Sequence, residues 1–325
     1  MNADRRGEAD DGSCFESALV GHLLEPVDQA PCDSAADWLP TWRETVSRHA
    51  DTDAYTTAVL AAMRADRLAW VFFAGYQGAL RRAFPDHLPA GRPRAAALCA
   101  NEAGRKLSAI DTRLRDDGDV HRLDGAKSWV LSEVGELDAF VLARRADGPE
   151  RGPGSQVLVR VSSTAPGVTI GPSRPQAFIP EMGHASMTLD SVAITPAQII
   201  AGDGYADHTK PFRLREDLFI GGCTLAWLLA GARRRAWPTD WCQCALAAIT
   251  QLGRCSMLPP NASETILLAA GALTTAAALT DQADALMTET DPASADRWRR
   301  DMPVRTIGRE AAHARAGKAW QLAGF

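Results

Sequence analysis

The chain has 325 residues, of which 46% are apolar and 23% charged, so two or three ordinary domains with a sizeable buried core are within its reach. The 35 Lys and Arg are interspersed with 40 Asp and Glu for a net charge of −5, which leaves no broad positive field for a phosphate backbone and argues against nucleic acid as a partner. The longest near-apolar run, Leu218 to Ala232, falls short of the roughly 18 to 20 residues of a bilayer span, so no membrane span is expected.

Residues 1–33 mix charges with Gly, Ser and Pro and read as a loosely held leader, with one short amphipathic helix over Phe15 to Leu24. No apolar stretch ends at a small-residue cleavage site near Met1, and a cytoplasmic location is expected on that basis. From residue 34 to 93 the pattern is helical. Asp33 or Ser34 offers a cap, Trp38, Leu39, Trp42 and Val46 recur at three- and four-residue spacing, and Asp53 to Phe84 supplies at least two antiparallel helices. Pro85, Pro89 and Pro93 close this block.

Between residues 94 and 200 the period changes to two, which predicts an antiparallel sheet or barrel. Short strands are expected at Ala95 to Ala100, Ser108 to Leu114, Val120 to Leu123, Ala126 to Leu131, Ala139 to Arg144, Gln156 to Val161, Val168 to Ile170 and Ser186 to Ala193, separated by Asp117-Gly118, Asp124-Gly125, Asp147-Gly148 and Pro166-Gly167, with Asp124-Gly125 as the clearest hairpin turn. From 201 to 325 the chain is helical again, with helices expected at Phe212 to Trp237, Trp241 to Leu252, Ser263 to Met287 and Ala293 to Leu322, packed as an up-and-down bundle.

Cysteines 14, 32, 99, 223, 242, 244 and 255 lack the paired spacing of a disulfide framework or zinc site and read as reduced thiols. The seven histidines are widely spaced, and no metal site is expected. GxSxG, Walker, HExxH and GxGxxG motifs are all absent.

The order of helical block, strand-rich middle and helical bundle, together with local strings, resembles the acyl-CoA dehydrogenase family. Leu98 to Glu133, "LCANEAGRKLSAIDTRLRDDGDVHRLDGAKSWVLSE", resembles that family's run from a TEPxxGSD loop to a WITN strand. Val159 to Gly171 resembles its "V...TPGV..G", Met187 to Gly204 its "L.FDDVRVPAENLLG..G", and Gln251 to Arg254, "QLGR", its QFGxP turn. The resemblance runs from about Asp53 to about Met287. It implies an α+β fold with an N-terminal helical domain, a middle antiparallel β-barrel and a C-terminal helical bundle. It further implies FAD as cofactor and α,β-dehydrogenation of an acyl-CoA thioester, with an electron-acceptor flavoprotein or oxygen taking the electrons. A homodimer or homotetramer is implied too, or a hetero-oligomer with a complete dehydrogenase subunit.

On this resemblance Trp129 falls on the tryptophan beside the isoalloxazine ring, with Val130 and Leu131 after it, and Asn101 stands at the TEP threonine, preceded by Cys99 and Ala100. Arg105 and Lys106 replace the Ser and Asp of GSD, where their charges suit a pyrophosphate or CoA phosphates or simply a solvated loop. Gln251 matches the QFG glutamine, while Ile249 and Thr250 take the place of the arginine pair that grips the FAD pyrophosphate. The family's usual base lies in a YEG-type loop, which this chain, ending at Phe325, is expected to lack. The isovaleryl-type branch instead carries its glutamate on the first bundle helix, where "LREDLFIGG" offers Glu216; the alternative is a solvated acid favoured by the helix dipole. A non-catalytic partner subunit of the same fold and a flavin monooxygenase are the competing functions.

Overall fold

A computed structural model describes residues 14–89, 91–149, 154–174 and 176–324. Residues 1–13 of the expected leader lie outside the described residues. The rest of the leader is packed: helix α1 (Phe15–Leu23) buries Leu19 and Leu23, and the Cys32 carbonyl accepts from the Trp70 indole at 2.8 Å. From residue 14 onward it is therefore less loose than its composition suggests.

Helix α2 (Ala35–Arg48) begins at Ser34, whose hydroxyl and the Asp37 carboxylate close a reciprocal capping box. Helices α3 (Ala54–Met63) and α4 (Leu68–Ala83) come next, α3 starting on the Asp53 carboxylate. The two are almost wholly buried, with Trp38 stacked on Trp70 at 6.1 Å and Trp42 edge-on to Phe73 at 5.3 Å.

The middle of the chain is one eight-stranded sheet: β1 (Ala95–Cys99), β2 (Arg113–Asp117), β3 (Val120–Leu131), β4 (Leu137–Arg145), β5 (Gln156–Ser162), β6 (Val168–Ile170), β7 (His184–Ile194) and β8 (Ile199–Ile200). Its order is β6-β7-β3-β2-β4-β5-β8, with β1 also on β4. This corrects the expected antiparallel barrel in two respects. β1 and β2 both pair with β4 in parallel, and no ladder among the described residues joins β6 to β8, so the sheet stays open. The outer edge of β1 is satisfied by α4 instead of by another strand: the Gln77 amide exchanges two 2.9 Å bonds with the Ala96 backbone, and the Tyr76 hydroxyl accepts from Leu98 N at 2.8 Å.

The Asp124-Gly125 hairpin is a second correction. Val120 to Leu131 is a single strand, and the turn falls earlier, at Gly118-Asp119 between the paired Asp117 and Val120. Gly125 instead marks a register shift in the ladder with β7, at φ 147°, where a Cβ would lie 2.5 Å from Thr112 Oγ1. The expected strand at Ser108 to Leu114 is mostly a 3-10 turn and loop, and only its last two residues enter β2.

A π-helical turn, Gly204–Thr209, leads into α5 (Lys210–Arg234), which packs on α3, α4, α6 (Thr239–Met257) and α7 (Ser263–Thr290). The last expected helix is broken. Pro303 and Gly308 divide it into α8 (Pro292–Asp301), a 3-10 turn (Met302–Thr306) and α9 (Arg309–Leu322). By length and composition α7 is apolar enough to cross a bilayer; here it packs against α5, α6, α8 and α9.

Candidate functional site

Two places in this framework carry unusual chemistry. The first is on β3, where Lys127 faces Met187 and Val130 faces Ala185, so that Ser128 and Trp129 oppose Ser186 alone. This bulge throws Trp129 into the left-handed region, φ 61°, a strain on the order of 1 kcal/mol or more for a bulky residue. The indole stands 55% exposed, edge-on to His184 at 5.7 Å. Burial holds the His184 imidazole below its ordinary pKa, and its Nδ1 has no hydrogen-bond partner among the described residues.

The loop after β1 is clamped to this bulge by neighbouring contacts. Ser128 N donates to the Asn101 carbonyl at 2.9 Å, and the fully buried Lys127 ammonium meets Glu102 at 2.8 Å. Glu102 also accepts from Thr112 Oγ1, Thr112 N and Asp111 N at 2.6, 3.0 and 2.6 Å. These donors outweigh its burial and hold its carboxyl below the usual range. Asn101 and Trp129 are thus brought together, both exposed. Cys99 and Ala100, just before them, are buried, the Cys99 thiol pushed up to about 12 by desolvation. Val130 and Leu131 also turn their side chains into the core.

The remaining expected cofactor and substrate residues lie apart from this pair or are engaged elsewhere. The Arg105 guanidinium is bound to Asp111 at 3.2 Å and lies 3.9 Å from Glu102, so much of its charge is matched locally; Lys106 is exposed beside it. Gln251 is exposed on α6, which packs on α1, α3, α5 and α7. Ile249 is buried, and its carbonyl accepts from the Tyr55 hydroxyl at 2.7 Å.

The second place is a cavity of about 440 Å³ bounded by α4, α5, α7 and residues 304–316. Glu216 lies on its wall, 9% exposed, and desolvation raises its carboxyl to about 7. Arg213, one turn earlier, donates to it at 3.1 Å and pulls the other way. Burial wins because the same guanidinium is shared: it lies 3.4 Å from Asp217 and donates to the Ile307 carbonyl at 2.6 Å, with a third of its surface in water. Asp217 is raised by burial as well and is held by Arg315 at 2.9 Å, which ties α9 across the cavity.

Tyr76 relates the two places. Its pKa is raised, first by burial and next by the charge of Glu216, while its hydroxyl touches the backbone of β1 three residues before Asn101. Even so, Trp129 is not on the wall of the Glu216 cavity. Sequence reasoning located Glu216 and noted Asp217 only as a replacement for the branch's arginine; it missed Arg213, although the spacing of Arg213 from the two acids, i,i+3 and i,i+4, is a readable signal. His184 and Arg315 gave none, since each meets its partner across the fold.

No known family profile matches the chain. Over 227 residues it is 24% identical to the "Probable acyl-CoA dehydrogenase FadE25" of Mycobacterium tuberculosis, a match that covers 64% of this chain and spans 56% of that protein's length. Among solved structures it is similar to an acyl-CoA dehydrogenase from Geobacillus kaustophilus (13% identity, 87% of this chain and 92% of that one, TM-score 0.58) and to PigA, solved with FAD and proline (13%, 98% and 99%, TM-score 0.62). The chain has the acyl-CoA dehydrogenase fold, and the resemblance read from its middle region is borne out.

Proposed function

We propose that this chain, built on the acyl-CoA dehydrogenase fold, is an FAD-dependent oxidoreductase that removes the α-proton and β-hydride of an acyl-CoA thioester. The observation that carries this reading is Glu216, a carboxyl held near pKa 7 by burial on the wall of a cavity large enough for a small acyl group. The described residues suit the ring end of the cofactor, where an exposed, strained indole lies next to an exposed Asn101 and a buried imidazole nitrogen without a partner. They suit its pyrophosphate less well, because Ile249 and Thr250 bring no charge. Bound flavin would supply the hydride acceptor.

The chain's own residues do the rest. Glu216, once ionised, takes the α-proton, and its burial keeps the carboxylate a strong base; Arg213 fixes the carboxylate through Oε2 and, by its bond to the Ile307 carbonyl, ties residues 304–316 to the base. Asn101 and the backbone beside Trp129 would meet the flavin, with Val130, Leu131, Cys99 and Ala100 supporting that surface from below. Gln251, Arg105 and Lys106 would contribute through a partner subunit or the CoA phosphates, and the electrons would pass to a flavoprotein or to oxygen. A homodimer or homotetramer formed through the bundle fits an exposed Gln251.

An absorbance spectrum of the chain with added FAD, before and after anaerobic addition of acyl-CoA, tests the proposal. Bleaching in the parent and its loss in a flavin-loaded Glu216→Gln variant are the expected results. The uncharged Ile249-Thr250 segment favours a second reading, a non-catalytic subunit of the same fold. A chain that retains no flavin absorbance after excess FAD is removed by gel filtration would overturn the first reading and favour the second.

A further inference from the structure

The Glu216 cavity holds a charged group for which the proposed dehydrogenation has no use. Arg305, in the 3-10 turn after Pro303, lines the cavity half-buried, and desolvation pushes its guanidinium below its usual pKa. Its hydrogen bond among the described residues goes to the Met302 thioether at 3.6 Å, a weak acceptor. Asp281 acts on it only at longer range, and Arg309 repels it. Arg213 and Arg315 differ, the first committed to Glu216, Asp217 and the Ile307 carbonyl and the second to Asp217, while Arg309 stands exposed at the cavity's edge. A guanidinium drawn out of water without an anion is costly. Ile220, Ile266 and Leu273 line the same cavity and supply an apolar surface. A guest that matches both features has a short hydrocarbon body and one anionic end.

We propose that the cavity takes a short acyl group ending in a carboxylate, with Arg305 as the residue that selects it. The acyl end of this assignment rests on the function proposed above; the anionic end rests on the cavity alone. Two neutral-bodied probes separate the parts: monomethyl glutarate, which carries the carboxylate, and methyl pentanoate, which replaces it with a methyl group. Neither needs flavin or turnover.

Dissociation constants from ligand-observed NMR at about pH 7.5 should favour monomethyl glutarate by about tenfold or more, the range expected of a charge-assisted hydrogen bond. Arg305→Gln should bring the two probes level, and Arg305→Lys should keep part of the preference while retaining the fold by circular dichroism. Equal binding of the probes to the parent, or an undiminished preference in Arg305→Gln, overturns the assignment. A chain that binds FAD but shows no preference refutes the anionic end alone, whereas a preference in a chain that never binds FAD refutes the dehydrogenase reading alone.

Discussion

Replacing Glu216 with glutamine should make the protein more stable, increasingly so as pH rises. The folded carboxyl titrates near 7 against an ordinary 4.5, because burial disfavours its charge more than Arg213 favours it. The gap of about 2.5 units corresponds to about 3 kcal/mol at 1.36 kcal/mol per unit. Since the raised value belongs to the folded state, folding retains the proton more tightly than unfolding does. The full stability is present below about pH 4.5, falls as pH climbs, and levels off above about 7. A neutral amide at this position has no such loss and keeps an acceptor for Arg213. The variant should therefore match the parent near pH 4.5, exceed it by about 2 kcal/mol at pH 6, and by about 3 kcal/mol at pH 8. Urea unfolding of both proteins at three pH values, followed by the fluorescence of the buried Trp38, Trp42 and Trp70, measures this directly. A difference that stays constant with pH, or a parent more stable at pH 8, would mean that Arg213 keeps Glu216 ionised and that desolvation does not govern it.

Lys127→Met should cost about 3 to 5 kcal/mol in the same unfolding assay, because Glu102 would remain buried without its ammonium partner. Gly125→Ala should also lower stability, by about 1 to 3 kcal/mol, since the new methyl meets Thr112 within 2.6 Å and the backbone sits at φ 147°; a neutral outcome would mean that β3 shifts freely there. Arg315→Ala should loosen α9, which buries only Ala319 within Arg309–Leu322, and amide exchange over that helix should rise while exchange in α5 stays slow. Trp129→Ala should leave the melting temperature nearly unchanged, because the ring is mostly in solvent, yet weaken FAD binding measured by flavin fluorescence.

Much of the architecture was legible because it depends on local periodicity. Asp33 or Ser34 was legible as the start of α2, of which the structure uses Ser34, and Trp38, Trp42 and Val46 marked its buried face. Errors arose where one residue type serves two geometries. Asp124-Gly125 has the letters of a hairpin turn, but the glycine is there because β3 passes over Thr112, a neighbour earlier in the chain that composition does not reveal. Strand β8, two residues long, is below the reach of any alternation pattern. Pro303 and Gly308 carry the break between α8 and α9, but the helix-forming residues on both sides mask it in the periodicity. At the site, the letters pointed to Glu216 and Trp129, but whether each was buried or exposed depends on segments far apart in the chain: α7 and residues 304–316 enclose the first, and β7 supports the second.

The long ladder between β3 and β7 bears on how the protein is made. His121 pairs with Ile194 and Leu131 with His184, so the strand carrying Trp129 leaves the ribosome more than fifty residues before its permanent neighbour. Until then it can zip with β2, but its other flank is bare. Such distant pairing slows maturation and leaves the nascent chain open to intermolecular association. Expression at low temperature, or with a chaperone in excess, should raise the yield of native protein more than any change to the helices.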